Sequence, residues 1–200
     1  MTEGFVYYPA FLDSAAQATI LRQVEPAVAG APPYTPRMPR TGRPFSVRMT
    51  NLGDLGWVSD RKGYRYQSTH PETGRPWPPI PAGLLRIWRR LSAYPHPPEA
   101  CLVNYYGEGA RMGLHRDEDE EDFSAPVLSI SLGDTAIFRL GGAERSSATR
   151  AIKLSSGDVV ILAGPSRLRY HGIDRIIPGT SDLVKEGGRI NLTLRRVTRP

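Results

Sequence analysis

The chain has 200 residues, 40% of them hydrophobic, and its 26 Lys and Arg outnumber 20 Asp and Glu to leave a formal charge of +6. That length can bury a substantial core, roughly 70% of the unfolded chain's surface, and the positive balance favours a phosphate-bearing partner, either nucleic acid or an anionic membrane. No apolar run approaches the ~20 residues of a membrane span, Met1-Thr-Glu-Gly-Phe5 lacks the basic start and apolar stretch of a signal peptide, and the single Cys101 cannot form an internal disulfide. A cytoplasmic monomer without membrane attachment is the expectation.

Ser14-Ala-Ala-Gln17 has the form of a capping box and predicts a helix that presents Ile20, Leu21 and Val24 on one face. Residues 31–80 are dense in proline and hold no sustained period, which predicts a loop-rich insertion with a strand or two. Loops of that length in compact domains commonly serve as binding lids. The basic residues from Arg37 to Arg65 are interleaved there with Tyr34, Phe45, Trp57, Tyr64 and Tyr66. That mixture suits single-stranded or flipped-out bases, which stack on aromatic rings. A second helix is predicted after Pro81, with Leu84, Leu85, Trp88 and Leu91 inward and Arg86, Arg89 and Arg90 outward.

From Cys101 onward short runs of strand character recur: Cys101–Tyr106, Val127–Leu132, Thr135–Leu140, Ala151–Leu154, Asp158–Leu162, Leu168–Ile173 and Arg189–Arg195. Gly133-Asp134, Gly141-Gly142 and Ser156-Gly157 separate them as turns. Regular short strands with glycine-rich turns predict a sandwich or jelly roll, mainly β, whose two sheets enclose a pocket.

Within that region His115 and Asp117 stand at i and i+2, a spacing that aims both side chains to one side if they end a strand. With four histidines and ten aspartates in the chain, a chance His-x-Asp arises roughly one time in five. His171, in Leu168–Ile173, supplies a second imidazole, and two imidazoles with one carboxylate form the facial set that leaves iron(II) three open positions. The last run alternates strictly: Ile190, Leu192 and Leu194 against Arg189, Asn191, Thr193 and Arg195. Taken alone such a strand would turn its polar face to water. Asn104 and Tyr106 add a second polar pair at the same spacing, however, and two guanidiniums, two amides and a phenol suit a small dicarboxylate, which points to 2-oxoglutarate.

These residues resemble, in type, order and spacing, the bacterial repair-type branch of the AlkB family of Fe(II)/2-oxoglutarate-dependent nucleic-acid dealkylases. The likeness covers Thr50–Trp57, Gly63–Tyr66, Cys101–Glu120, Ala125–Gly133, Gly141-Gly142 with Arg145, Gly157–Val160, Ser166–Gly172 and the final strand. The resemblance implies one dioxygenase domain over 1–200. Its double-stranded β-helix (jelly-roll) core would span about 101–197, flanked by N-terminal helices, with a nucleotide-recognition lid in about 31–80. It implies His115, Asp117 and His171 as catalytic iron ligands, and Asn104, Tyr106, Arg189, Asn191 and Arg195 as the 2-oxoglutarate site, one arginine to each end of the cosubstrate. Trp57 and His115 would sandwich the damaged base, Tyr64 and Arg145 would contact the substrate, and Asp119 would sit by the exocyclic nitrogen. The flanking acids Glu118, Glu120, Glu121 and Asp122 are expected to form a solvated loop.

The implied reaction is oxidative demethylation of 1-methyladenine and 3-methylcytosine in single-stranded or base-flipped DNA, and in RNA. Iron(II), 2-oxoglutarate and O2 are consumed or used, and succinate, CO2 and formaldehyde are released. Two other readings remain open from sequence: an oxygenase of the same fold acting on RNA only, a protein side chain or a small molecule, and a non-catalytic nucleic-acid-binding module.

Overall fold

A computed structural model describes residues 2–200. The chain runs β1 (Phe5–Tyr8), α1 (Ser14–Gly30), β2 (Arg48–Gly53), β3 (Gly56–Asp60), β4 (Gly63–Gln67), α2 (Ala82–Leu91), β5 (Ala100–Tyr106), β6 (Met112–His115), β7 (Val127–Gly133), β8 (Thr135–Leu140), β9 (Arg150–Leu154) and β10 (Val159–Leu162). A short 3-10 turn at Gly164–Ser166 precedes β11 (His171–Ile177) and β12 (Arg189–Arg195). The strands form a six-stranded sheet in the order β1-β10-β7-β12-β5-β2, a four-stranded sheet β6-β11-β8-β9, and the separate hairpin β3-β4. Every pairing is antiparallel. Two antiparallel sheets with few helices are consistent with a jelly-roll core.

Alternation along the strands of the large sheet builds two cores. Cys101 and Val103 of β5, Leu128, Ile130 and Leu132 of β7, Val159 and Ile161 of β10, and Ile190, Leu192 and Leu194 of β12 pack with Ile20, Leu21 and Val24 of α1 and with Leu84, Ile87 and Trp88 of α2. The opposite face of the same sheet meets the small sheet, where Leu102, Val160 and Leu162 join Ala136, Phe138, Leu140, Leu154, Ile173 and Ile176. Helices therefore cover one face of the large sheet and the second sheet covers the other. Burying each of these aliphatic side chains contributes about 1.5–3 kcal/mol, so both faces of the sheet are committed and the polar residues of β12 lie between the layers.

Several elements differ from expectation. The first helix is capped by Asp13, whose Oδ1 accepts from the Ala16 amide at 2.8 Å. A carboxylate one residue ahead of Ser14 supplies the acceptor, which frees Gln17 to donate to the Leu12 carbonyl and to accept from the Ser156 hydroxyl. The strand expected from Leu168 begins at His171, because the chain first closes the 3-10 turn. The 31–80 segment holds three strands, and β2 is part of the large sheet, paired with β5 from Arg48↔Tyr105 to Gly53↔Ala100.

Candidate metal and cosubstrate site

His115 ends β6, Asp117 follows it by two residues in the adjoining loop, and His171 opens β11 directly opposite His115 in the ladder. One ligand atom from each of the three lies within 4.8 Å of the others. Strand β11 approaches β6 this closely because residue 172 is glycine: a Cβ there would meet the Met112 carbonyl oxygen at 2.6 Å and that of Gly113 at 2.9 Å.

Main-chain contacts fix the two imidazoles. Nδ1 of His115 lies 2.9 Å from the Gly113 carbonyl oxygen, and Nδ1 of His171 lies 3.0 Å from that of Arg169. A carbonyl only accepts, so each Nδ1 carries the proton and each Nε2 presents its lone pair. Those Nε2 atoms stand 3.9 and 3.7 Å from the Asp117 carboxylate. Burial, followed by the neighbouring His115, pushes His171 down to about 4, which keeps it neutral at physiological pH.

Asp117 is itself buried, and its Oδ1 accepts from Nη2 of Arg195 at 2.7 Å. Burial opposes ionisation, but the Arg195 guanidinium outweighs it and holds the carboxyl well below the usual carboxylate range. The other oxygen, Oδ2, is buried without a hydrogen-bond partner. An ionised carboxylate with one unsatisfied oxygen, facing the Nε2 atoms of two imidazoles, fits a divalent cation, and this donor set is the one that holds non-haem iron(II).

Behind the triad lies an inner cavity of about 70 Å³, lined by Asn104, Tyr106, Ser129, Arg189, Asn191 and Thr193 among others. Arg189 is only 2% exposed. Its Nη2 donates to Ser131 Oγ at 3.0 Å and its guanidinium lies 5.2 Å from the Tyr106 ring centre, but Nε and Nη1 have no partner. Burial lowers its affinity for its proton. Leaving a cation buried with unsatisfied donors is costly, so these atoms mark the seat of an anion. The amide of Asn191 is held by Ser129 Oγ at 2.7 Å and by the Ile130 carbonyl at 3.0 Å, while Oδ1 of Asn104 is a further buried acceptor without a partner. The lining fits a small dicarboxylate such as 2-oxoglutarate.

An outer cavity of about 330 Å³ opens over His115 and Asp117 and is shared by Trp57, Tyr64, Asp119 and Arg145. Trp57 stacks on Tyr64, ring centres 5.5 Å apart and 18° from parallel. Its Nε1 donates to Oδ2 of Asp119 at 2.7 Å. Burial raises the Asp119 carboxyl despite that hydrogen bond. The position of Trp57 is set from the core: the fully buried Asn51 on β2 accepts from the Trp57 amide and donates to its carbonyl, both at 3.0 Å. All residues expected at the metal, cosubstrate and base sites thus line these two adjoining cavities.

One expectation is overturned. Of the acids flanking Asp119, Glu118 and Glu121 are exposed, but Glu120 and Asp122 are buried. Glu120 accepts from Arg167 Nη2 at 2.9 Å and from the Tyr66 hydroxyl at 2.5 Å, and Asp122 accepts from the Tyr94 hydroxyl. Charge pattern could not separate them from their neighbours, since their partners lie 47 and 54 residues away for Glu120 and 28 for Asp122. Ser129 and Ser131 also escaped the sequence reading; their signal is the serine alternation on one face of β7.

A family model described as the 2OG-Fe(II) oxygenase superfamily matches residues 4–195. An alpha-ketoglutarate-dependent dioxygenase AlkB homolog of Caulobacter vibrioides is 56% identical over 195 residues, covering 96% of this chain and 87% of that one. The alpha-ketoglutarate-dependent dioxygenase AlkB of Escherichia coli is 39% identical over 200 residues, covering 98% and 91%. The solved structure of OsALKBH1 superposes with a TM-score of 0.80 at 33% identity, covering 98% of this chain and 99% of that one. The family model and these relatives run along almost the whole chain, and the chain itself brings together a metal-binding triad, so the protein belongs to the AlkB family of the 2OG-Fe(II) oxygenase superfamily.

Proposed function

We propose that this protein oxidatively removes N-linked methyl groups from nucleic-acid bases, 1-methyladenine and 3-methylcytosine above all, in DNA and also in RNA, as a direct reversal of alkylation damage. The observation that carries the reading is the outer cavity, in which a stacked Trp57–Tyr64 pair and the Asp119 carboxylate open onto His115 and Asp117 of the metal-binding triad. More distant relatives bear the names DNA N(6)-methyladenine demethylase ALKBH1A and nucleic acid dioxygenase ALKBH1.

His115, Asp117 and His171 would hold iron(II) on one face. Arg195, paired with the ligand Asp117, suits the metal end of 2-oxoglutarate, while Arg189, deeper and with two free N–H donors, suits the distal carboxylate, helped by Tyr106, Asn104 and Asn191. When bound, iron and 2-oxoglutarate supply the oxygen chemistry, coupling oxidative decarboxylation of the cosubstrate by O2 to hydroxylation of the alkyl carbon. The resulting N-hydroxymethyl base breaks its C–N bond to release formaldehyde.

The protein's share is placement. Trp57 and His115 would sandwich the base, and Asp119 would accept from its exocyclic amine. Tyr64 and Arg145 would meet the strand, with the β3–β4 hairpin serving as lid within the 31–80 segment of a single dioxygenase domain. A methylated pairing edge cannot be reached inside a duplex, so the base must come from a single strand or be flipped, which costs least where methylation has already weakened pairing. The enzyme would act as a monomer in the cytoplasm.

The reading is tested by succinate release. A single-stranded oligonucleotide carrying 3-methylcytosine should stimulate 2-oxoglutarate turnover where its unmethylated twin does not. Equal turnover with both, or stimulation by a protein or small-molecule substrate instead, would remove the base from the account.

A further inference from the structure

The β3–β4 hairpin that carries Trp57 and Tyr64 is tied to the metal end of the cosubstrate site through one carboxylate. Glu120 has a side chain only 1% exposed, and it gathers three partners from distant parts of the chain. Tyr66 of β4 donates its hydroxyl to Oε1 at 2.5 Å. Arg167, itself 2% exposed, donates Nη2 to Oε2 at 2.9 Å. Nε of Arg195 stands 3.5 Å from Oε1 and has no hydrogen-bond partner of its own. Both guanidiniums also grip Asp117: Arg167 Nη1 donates to its main-chain carbonyl at 2.7 Å, and Arg195 Nη2 donates to its carboxylate at 2.7 Å. A weaker contact closes the loop, Arg195 Nη1 donating to the Tyr66 hydroxyl at 3.3 Å.

Placing a carboxylate among two guanidiniums out of water is costly unless every charge is matched, and polar clusters of this kind hold one arrangement of their members. The hydroxyl of Tyr66 is the member that belongs to the hairpin, and the remaining members belong to the metal and cosubstrate side. We propose that Glu120 is a positioning residue that couples the seating of the β3–β4 hairpin to the setting of Arg195, so that binding of 2-oxoglutarate orders the hairpin that receives the base. The inference rests on the reading of Arg195 as a cosubstrate contact. Coupling of this kind is reciprocal: whatever strengthens the grip on Arg195 must also hold the hairpin more firmly.

The test uses the full chain loaded with Mn(II) in place of iron, so that nothing turns over. Two quantities are read for wild type, Glu120→Gln and Tyr66→Phe: the dissociation constant of 2-oxoglutarate by calorimetry, and hydrogen exchange of the β3 and β4 amides with and without 2-oxoglutarate. In wild type, cosubstrate should slow exchange in the hairpin roughly fivefold or more. Glu120→Gln should weaken 2-oxoglutarate binding by about tenfold and abolish that slowing. Tyr66→Phe should bind 2-oxoglutarate at least as well as Glu120→Gln yet lose the slowing, which a purely structural loss would not produce selectively.

The proposal is overturned if wild type shows no slowing, if Tyr66→Phe shows the full wild-type slowing, or if Glu120→Gln binds 2-oxoglutarate with wild-type affinity. Should Glu120→Gln fail to fold, Tyr66→Phe alone decides. No nucleic acid enters either measurement, so the result is independent of whether methylated bases are the substrate.

Discussion

Arg195 and Asp117 form a buried ion pair in which the guanidinium takes one carboxylate oxygen at 2.7 Å and leaves the other without a hydrogen bond. Arg195→Met would leave that carboxylate buried and uncompensated in the metal-free protein, a loss of about 3–5 kcal/mol. Urea unfolding in the presence of a chelator should record it, and added Mn(II), as a substitute positive charge, should restore part of it. A metal-free variant as stable as wild type would mean the pair contributes nothing.

The pH dependence follows from His171. Its folded pKa of about 4 lies below the ordinary 6.5, so between those values the unfolded chain takes up a proton that the folded chain refuses. Stability of the metal-free protein should therefore fall as pH drops from about 6.5 to 4, by up to roughly 3 kcal/mol, and be insensitive to this group above pH 7. Asp117, held down rather than up, adds a further loss below pH 4. Melting temperature against pH, compared with His171→Gln, checks it: the variant should be flatter between pH 4 and 6.5.

Trp57 offers the stacking face and Asn51 holds its backbone in place. Trp57→Ala should weaken binding of a methylated single-stranded oligonucleotide by about 1–3 kcal/mol with 2-oxoglutarate affinity unchanged. Asn51→Ala should act in the same direction without touching substrate, because the indole loses its anchor. Fluorescence anisotropy measures both, and unaltered affinity in Trp57→Ala would remove the platform from the account.

Gly172→Ala forces a methyl against two carbonyl oxygens of β6. The strands must part, and with them His115 and His171. Divalent-metal affinity should fall by at least about tenfold while the large sheet, which this contact does not enter, keeps its circular dichroism. Wild-type metal affinity would show that the ladder yields without moving the ligands.

Much of this was legible in the sequence where the determinant is local. The alternation of Arg189–Arg195 gave a strand with the bounds of β12, and Pro81 with the apolar spacing after it gave α2. What was not legible depends on partners distant in sequence. Nothing within Arg48–Gly53 announces that it pairs with β5. The polar face of β12 has the same pattern whether it meets water or a second sheet, and it takes the second polar pair of Asn104 and Tyr106, then the resemblance, to point it inward. Glu120 is one acid in a run of acids until Arg167 and Tyr66 are brought to it. Asp119 is a second case: its own chemistry does not set it apart in that run, the resemblance singles it out, and in the structure it lines the outer cavity.

The central claim is that the His115–Asp117–His171 centre removes a methyl from a base held in the outer cavity. The most direct measurement is anaerobic reconstitution with Fe(II) and 2-oxoglutarate, admission of O2, and mass spectrometry of a single-stranded oligonucleotide bearing one 3-methylcytosine, with His171→Ala as control. The account predicts conversion of the methylated base to cytosine with release of formaldehyde by the wild type alone. An unchanged oligonucleotide, with metal and 2-oxoglutarate bound normally, would contradict it.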